Sequence, residues 1–213
     1  MARDLFAEVP WKRYVSMGDS LAEGLGDPVA GYSSDGFSCM VADGLRAVRA
    51  DLEFTNLGER ELTARQVRER QLEPALALAP DLVTVIAGGN DLLLEAFDPA
   101  ISQRELDAIV TPLVATGATV VLATMYNIFA AKLVPAEFEA ALKERFEALN
   151  DTIRAVASSH PVVFIDFAVM AVCADPGIYS TDLRHGNMRG HAIGAEAVLR
   201  ALAKHAASVS GPA

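Results

Sequence analysis

The sequence predicts an α/β protein: a three-layer α/β/α sandwich built around a five-stranded parallel sheet. Short apolar runs of strand length alternate five times with longer segments of helical spacing, which indicates parallel strands joined by helices. The apolar runs are nearly continuous, as expected for strands that are covered on both faces. With 213 residues, of which 52% are hydrophobic, the chain can bury one large core, and we expect a single domain over residues 1–213.

Five segments have the length and the apolar, often β-branched composition of buried strands. They are residues 13–17, 52–56, 81–87, 118–123 and 162–166. The third of them, DLVTVIA, has the clearest pattern. Because it is almost continuously apolar and β-branched, it predicts a buried strand that is covered on both faces.

The segments between the strands carry helical periodicity and helix-start signals. The predicted helices are 36–50, 63–79, 102–116, 136–159 and 190–207. Thr63 is the expected N-cap of the second helix, and the run Ser102-Gln103-Arg104-Glu105 is the expected capping box of the third. Pro135 is expected to precede the fourth. We expect the first few residues and the tail 208–213 to be frayed.

Composition and charge narrow the function classes. The formal net charge is -10 and the pI is about 4.8, so a phosphate backbone would be repelled and nucleic acid is not the expected partner. No signal peptide is visible in residues 1–10, and no segment has the length and hydrophobicity of a membrane span. These features favour a cytoplasmic location. The four histidines are not spaced as metal ligands, and we expect no metal or cofactor.

Candidate catalytic residues follow the predicted strands, because ligands of open parallel sheets bind beyond the carboxyl ends of the strands. The first strand is followed by Gly18-Asp19-Ser20, which places a hydroxyl at a helix N-terminus or simply supplies an N-cap. The third is followed by Gly88-Gly89-Asn90-Asp91, whose amide fits either an oxyanion donor or an ordinary turn. Asp182 precedes His185 by three residues, as in a catalytic pair or a surface loop.

Together, these segments resemble the SGNH/GDSL hydrolase family over residues 14–202. The segments 14–24, 87–91 and 182–185 are similar to the family's first, third and last motifs, and Gly190-His191 is similar to the Gly-His that often follows. The AGGND sequence makes the chain most similar to small actinobacterial esterase-like members. The resemblance implies a flavodoxin-like sheet and a Ser-His-Asp triad of Ser20, His185 and Asp182.

The resemblance also implies the remaining parts of an esterase site. Ester bonds would be cleaved through an acyl-enzyme on Ser20, and the oxyanion would be held by the Ser20 N–H and the Asn90 side chain. The family's second motif supplies a glycine N–H as a further donor. Here the aligned residue is Glu61, with Gly58 as the alternative. A carboxylate beside an oxyanion would oppose charge stabilisation, so Glu61 is expected to reduce activity on neutral esters.

Two sets of residues complete the prediction. Candidates for the acyl pocket, each of which would also suit the core, are Tyr32, Met125, Tyr126 and Phe129. Asp19 and Asp91 are expected to brace loops through backbone N–H groups. An acyltransferase or a thioesterase with the same triad remains an alternative to an esterase, as does a binding protein in which Glu61 has weakened the site. In all cases the expected partner is a small-molecule ester or acyl compound, and the sequence leaves the oligomeric state open.

Overall fold

The five strands form one parallel sheet in the order β2-β1-β3-β4-β5. The structure is a computed structural model and describes residues 5–209. The strands are β1 Arg13–Gly18, β2 Glu53–Asn56, β3 Leu82–Ile86, β4 Thr119–Ala123 and β5 Val163–Ile165. Each neighbouring pair is parallel. This order is the flavodoxin-like one, so the predicted α/β fold with a five-stranded parallel sheet is confirmed.

Helices cover both faces of the sheet. They are α1 Ser20–Glu23, α2 Phe37–Arg46, α3 Ala64–Ala77, α4 Pro99–Ala115, α5 Ala136–Ser159 and α6 Met188–Val209. One apolar core lies between the sheet and α3, α4 and α5, and a second lies between the sheet and α2 and α6. The sandwich therefore has the three predicted layers.

Strand β3 shows why the strand sequences are apolar without alternation. Val83 and Val85 belong to the core under α3, α4 and α5, whereas Leu82 belongs to the core under α2 and α6. All three side chains are fully buried. Because successive side chains of a strand point to opposite faces, a strand covered on both sides is apolar at nearly every position. The one polar residue of β3, Thr84, is buried and is hydrogen-bonded to side chains of β1.

The predicted start of α3 is confirmed, and that of α4 is wrong. Thr63 accepts a hydrogen bond from the Gln66 N–H, while the Gln66 side chain accepts one from the Thr63 N–H, which forms a capping box. Helix α4 begins three residues before Ser102, with Asp98 as its N-cap.

The residues of the expected capping box in α4 make tertiary contacts instead. The Ser102 hydroxyl is buried and donates to the Asp91 carboxylate at 3.2 Å. Glu105 accepts a 2.5 Å hydrogen bond from Arg68 on α3. The S-x-x-E spacing therefore serves two contacts between elements rather than a helix start.

The last helix begins earlier than predicted. The Asn187 side chain accepts hydrogen bonds from the N–H groups of Arg189 and Gly190, so α6 begins at Met188. Of the tail expected to fray, Ser208 and Val209 complete α6, and 210–213, like residues 1–4, lie outside the described part of the chain. Within residues 5–209, no helix combines the length and apolarity needed to cross a bilayer.

Candidate active site

The serine turn, Gly18-Asp19-Ser20, joins β1 to α1. Gly18 has a φ of 145°, and a Cβ atom there would lie 1.9 Å from the Ile86 carbonyl oxygen of β3. The same oxygen accepts a 3.0 Å hydrogen bond from the Asp19 N–H. Only glycine fits this approach of two backbones. The turn leaves Ser20 as the first residue of α1, where its N–H has no acceptor within the helix.

A glutamine that the sequence reasoning did not identify holds this turn from α3. The Gln71 side chain accepts from the Gly18 N–H and donates to the Gly18 carbonyl, both at 2.8 Å. Gln71 is only 3% exposed, and a buried amide must find hydrogen-bond partners within the protein. The backbone N–H and carbonyl of Gly18 are those partners. Gln71 takes the place of an apolar residue in the buried stripe of α3, between Val67 and Ala75, and this polar residue is the sequence signal of the contact.

The structure brings Ser20, His185 and Asp182 together in a chain of hydrogen bonds. The Ser20 Oγ lies 2.7 Å from His185 Nε2, and His185 Nδ1 lies 2.7 Å from Asp182 Oδ2. The other Asp182 oxygen, Oδ1, accepts from the N–H groups of Arg184 and His185. Leu183, between them, has a φ of 55°, which turns the chain back so that one carboxylate reaches both the ring and the backbone.

Charge and hydrogen bonding assign the tautomer of His185. Burial disfavours the Asp182 carboxylate, but hydrogen bonds from the His185 ring and from the Arg184 N–H outweigh it and lower the pKa of Asp182. The ionised carboxylate accepts the proton of Nδ1. Nε2 of the neutral ring then carries the lone pair and accepts the hydrogen bond of the Ser20 hydroxyl.

The loop that carries His185 is fastened to the segment after α1. Asp27 Oδ2 accepts from both the N–H and the hydroxyl of Thr181 at 2.8 Å. His191 lies 4% exposed below this loop, where its Nδ1 accepts from the Phe37 N–H and its Nε2 donates to the Leu25 carbonyl. Burial lowers the pKa of His191, so its ring is neutral and acts as a fixed connector.

Asn90 lies in a 3-10 turn after β3. Its Nδ2 donates to the Leu62 carbonyl at 3.0 Å, which uses one of the two amide protons and leaves the other for a ligand. Asn90 and Ser20 line the same cavity. The next residue, Asp91, accepts from the Ala64 N–H at 2.8 Å and thus braces the start of α3, as expected.

Asp19 is a buried carboxylate beside the candidate nucleophile. It accepts from the Leu21 N–H as the N-cap of α1, so it braces the serine turn as expected. Burial nevertheless dominates, and it raises the pKa of Asp19 to about 6. The free-energy cost of ionising this buried carboxylate next to Ser20 could not be predicted from the sequence.

Glu61 and Gly58, the two candidates for the second oxyanion donor, are placed differently. Glu61 is exposed and lines the cavity with Ser20, and its φ is 66°, the left-handed conformation that favours glycine. Gly58 packs against α1, where a Cβ atom would lie 2.3 Å from the Glu23 nitrogen, and it does not line the cavity. The position therefore keeps a glycine-like backbone although the residue is glutamate.

The cavity around Ser20 has a volume of about 390 Å³. Of the four predicted pocket residues, Met125, Tyr126 and Phe129 line it. Tyr32 does not: its side chain is 43% exposed and lies near Arg189, because the segment after α1 carries it away from the crevice. Within residues 5–209, no three His, Cys, Asp or Glu side chains are grouped as a metal site.

These features define the class of the protein. The chain belongs to the GDSL-like lipase/acylhydrolase family, whose model matches residues 16–193. It is therefore an ester-cleaving hydrolase of the GDSL type, which confirms the class predicted from the sequence.

Solved structures with the same fold include three enzymes. LAE5, an α/β hydrolase from the metagenome of Lake Arreo, Spain, is 24% identical, with a TM-score of 0.72 over 93% of this chain and 97% of its own. The psychrotrophic esterase EstA from Pseudoalteromonas sp. is 16% identical, with a TM-score of 0.69 over 92% and 98%. The acetylxylan esterase Axe2 from Geobacillus stearothermophilus is 20% identical, with a TM-score of 0.70 over 90% and 94%. A comparison with curated proteins gave no significant match.

Proposed function

We propose that the protein is a serine esterase in which Ser20 is the nucleophile, His185 the general base and Asp182 the residue that orients His185. The observation that carries this proposal is the continuous chain of two 2.7 Å hydrogen bonds from Ser20 through His185 to Asp182. Such a chain gives a weakly acidic hydroxyl a base within reach and gives that base a fixed tautomer.

The reaction has two halves. The Ser20 Oγ attacks the acyl carbon while its proton passes to His185 Nε2, and the tetrahedral intermediate collapses when His185 returns that proton to the leaving alcohol oxygen. Water then attacks the acyl-enzyme, with His185 again as base, and the acid is released as Ser20 regains its proton. Asp182 stays ionised throughout and stabilises the imidazolium.

The oxyanion of the intermediate would be held by three donors. They are the N–H of Ser20 at the N-terminus of α1, the backbone N–H of Glu61 and the free Nδ2 proton of Asn90. Support comes from the left-handed backbone of Glu61 and from the shared cavity, which all three residues line. Because Glu61 lines the same cavity, its carboxylate would weaken the stabilisation that these donors give to a negative charge.

Labelling with a fluorophosphonate probe tests the proposal, because the probe reacts only with an activated serine. The wild-type protein is expected to take up one phosphonyl group per chain, as measured by intact mass. The label should vanish in Ser20→Ala and fall sharply in His185→Ala. Ser33→Ala is the matched control, since the hydroxyl of this exposed serine donates a hydrogen bond to Asp35 and the residue lies outside the cavity.

The outcomes separate the alternatives. Labelling of Ser20 with turnover of p-nitrophenyl esters in water supports an esterase. Labelling in which the acyl group passes to an added alcohol or thiol faster than to water would indicate an acyltransferase, and preferred cleavage of thioesters would indicate a thioesterase. A folded protein with no label at Ser20 would contradict the proposal and favour a binding protein.

A further inference from the structure

We propose that the enzyme selects esters of medium-length acyl chains over acetyl esters, and that the chain binds along an apolar wall formed by α5 and the turns after β3 and β4. The inference rests on the proposed function, because it takes Ser20 as the point where the acyl carbon is held. It adds the class of acyl group, which is set by the cavity rather than by the triad.

Two groups of residues that line the cavity differ in chemistry. One group belongs to the loop that carries His185, with Asp182 and Arg184 among its residues. A second group of lining residues, which we call the acyl wall, has no charged or hydrogen-bonding side chain. It consists of Leu92, Leu93, Ile128, Phe129, Leu142 and Phe146.

The acyl wall is the outer edge of the core under α3, α4 and α5. Phe129 and Phe146 are buried and meet edge to face, with ring centroids 5.4 Å apart, which gives the wall a rigid base. Ile128 and Leu142 are only partly buried and pack on that base. Leu93 is 53% exposed at the wall's margin. The wall therefore presents apolar surface that water now covers and that a hydrocarbon chain would cover instead.

The position of His185 decides which part of the ester meets this wall. His185 must deliver a proton to the leaving oxygen, so the alcohol lies on the side of the His185 loop. The acyl group leaves the reacting carbon in the other direction and meets the acyl wall. An acetyl group would leave most of this wall uncovered, since a cavity of about 390 Å³ lies in the range that holds much larger ligands.

Steady-state hydrolysis of p-nitrophenyl acetate, butyrate, hexanoate and octanoate tests the inference with the intact protein. These esters share one leaving group, so differences in kcat/KM report the acyl chain alone. We expect kcat/KM to rise about fourfold for each added methylene until the wall is covered, which is the rate equivalent of burying one CH₂. The rates of the Ser20→Ala variant are subtracted as background.

A charge placed in the wall provides the second measurement. Leu142→Glu should lower the octanoate-to-acetate ratio of kcat/KM by about tenfold or more, because the chain would lose an apolar contact and approach a carboxylate. Ala141→Glu is the matched control: it adds the same charge one residue earlier on α5, at an exposed position outside the cavity. The control should keep the wild-type ratio, and thermal unfolding of both variants checks that α5 is intact.

The results distinguish this inference from the proposed function. A Ser20-dependent activity that is highest on acetate, or a Leu142→Glu ratio equal to that of Ala141→Glu, would overturn the acyl wall and leave the esterase in place. Absence of Ser20-dependent hydrolysis for every ester would overturn the proposed function and the chain selection with it. A rising profile that Leu142→Glu flattens supports the inference.

Discussion

The serine turn after β1 and the Glu61 loop, residues 57–63 between β2 and α3, both use backbone conformations that favour glycine, but only the first has glycine at that position. At Gly18 a side chain would collide with the Ile86 carbonyl at 1.9 Å. At Glu61 the φ of 66° is strained for any residue with a Cβ atom, yet the residue is exposed and lines the cavity, and its side chain meets no such collision.

This difference separates two reasons for a glycine. Where another backbone occupies the space, as at Gly18, glycine is required by contact and no side chain can be accommodated. Where only the dihedral angle is unfavourable, as at Glu61, another residue costs about 1–2 kcal/mol and can be kept. The Glu61 loop is thus the part of the site that can change its chemistry without loss of the fold.

The largest effect is expected at the rigid side of this comparison. Gly18→Ala should lower the free energy of unfolding by more than about 4 kcal/mol, because a methyl group would meet a backbone carbonyl that has no room to move. Chemical denaturation or expression of folded protein measures the effect. A Gly18→Ala variant with nearly wild-type stability would show that this turn is as adaptable as the Glu61 loop.

The next effect concerns Asn90, which connects the two regions through its hydrogen bond to the Leu62 carbonyl. Asn90→Ala should lower kcat about 10²–10³-fold as an oxyanion donor is removed. Loss of the bond to Leu62 should cost only about 1 kcal/mol of stability. Kinetics on a p-nitrophenyl ester, with a thermal melt as control, separate the two. A loss of stability without a loss of kcat would assign Asn90 to the loop alone.

A smaller effect is expected for the buried carboxylate of the serine turn. The pKa of Asp19 is raised from 3.8 to about 6, so the folded state holds its proton more tightly than the unfolded chain. The stability contributed by that proton is complete below about pH 4 and is lost as the pH rises through about 6.

Asp19→Asn keeps an oxygen acceptor for the Leu21 N–H and removes the charge. The variant should therefore be more stable than wild type by about 2–3 kcal/mol at pH 8, and this advantage should disappear by pH 4. Urea denaturation at several pH values measures it. An advantage that is the same at pH 4 and pH 8 would mean that Asp19 does not titrate in this range.

The smallest effect is expected in the Glu61 loop. Glu61→Gly should raise the free energy of unfolding by up to about 1 kcal/mol, because the relief of the left-handed strain is partly offset by the greater conformational freedom of glycine in the unfolded chain. It should also raise turnover of a short neutral ester several-fold, because a carboxylate is removed from beside the oxyanion.

Glu61→Ala separates these two causes, since it removes the charge and keeps the strained backbone. It is expected to raise turnover with no gain in stability. If turnover of the neutral ester rises in neither variant, the proposed inhibitory role of the Glu61 carboxylate is wrong.

Most of the fold could be predicted because burial on both faces leaves a strong pattern in the strands. The start of α4 could not, since the Ser102–Glu105 spacing fits both a capping box and the contacts that Ser102 and Glu105 make with Asp91 and Arg68. Such a choice depends on which elements are neighbours in space, and local spacing does not contain that information.

The residues of the candidate site also differ in how well the sequence predicted them. Ser20 and Asn90 follow β1 and β3, whose ends lie at one edge of the sheet, so their convergence was predictable. His185 is separated from the end of β5 by several turns, and the Asp-x-x-His motif rather than a strand end indicated its role. The two hydrogen bonds of Gln71 to Gly18 and the distance of Tyr32 from the cavity depend on tertiary packing and on the path of the segment after α1. The sequence predicted only part of the acyl wall, because Leu142 and Phe146 belong to α5, which contains none of the family's motifs.

A double-mutant cycle tests most directly whether Ser20 and His185 act as one unit. We expect Ser20→Ala and His185→Ala each to lower kcat for a p-nitrophenyl ester by about 10⁴–10⁶-fold, and the double variant to be no slower than the single variants. In that case His185 acts only through the hydroxyl 2.7 Å from its Nε2. If the two losses instead multiply in the double variant, each residue works independently of the other, and the proposed triad is contradicted.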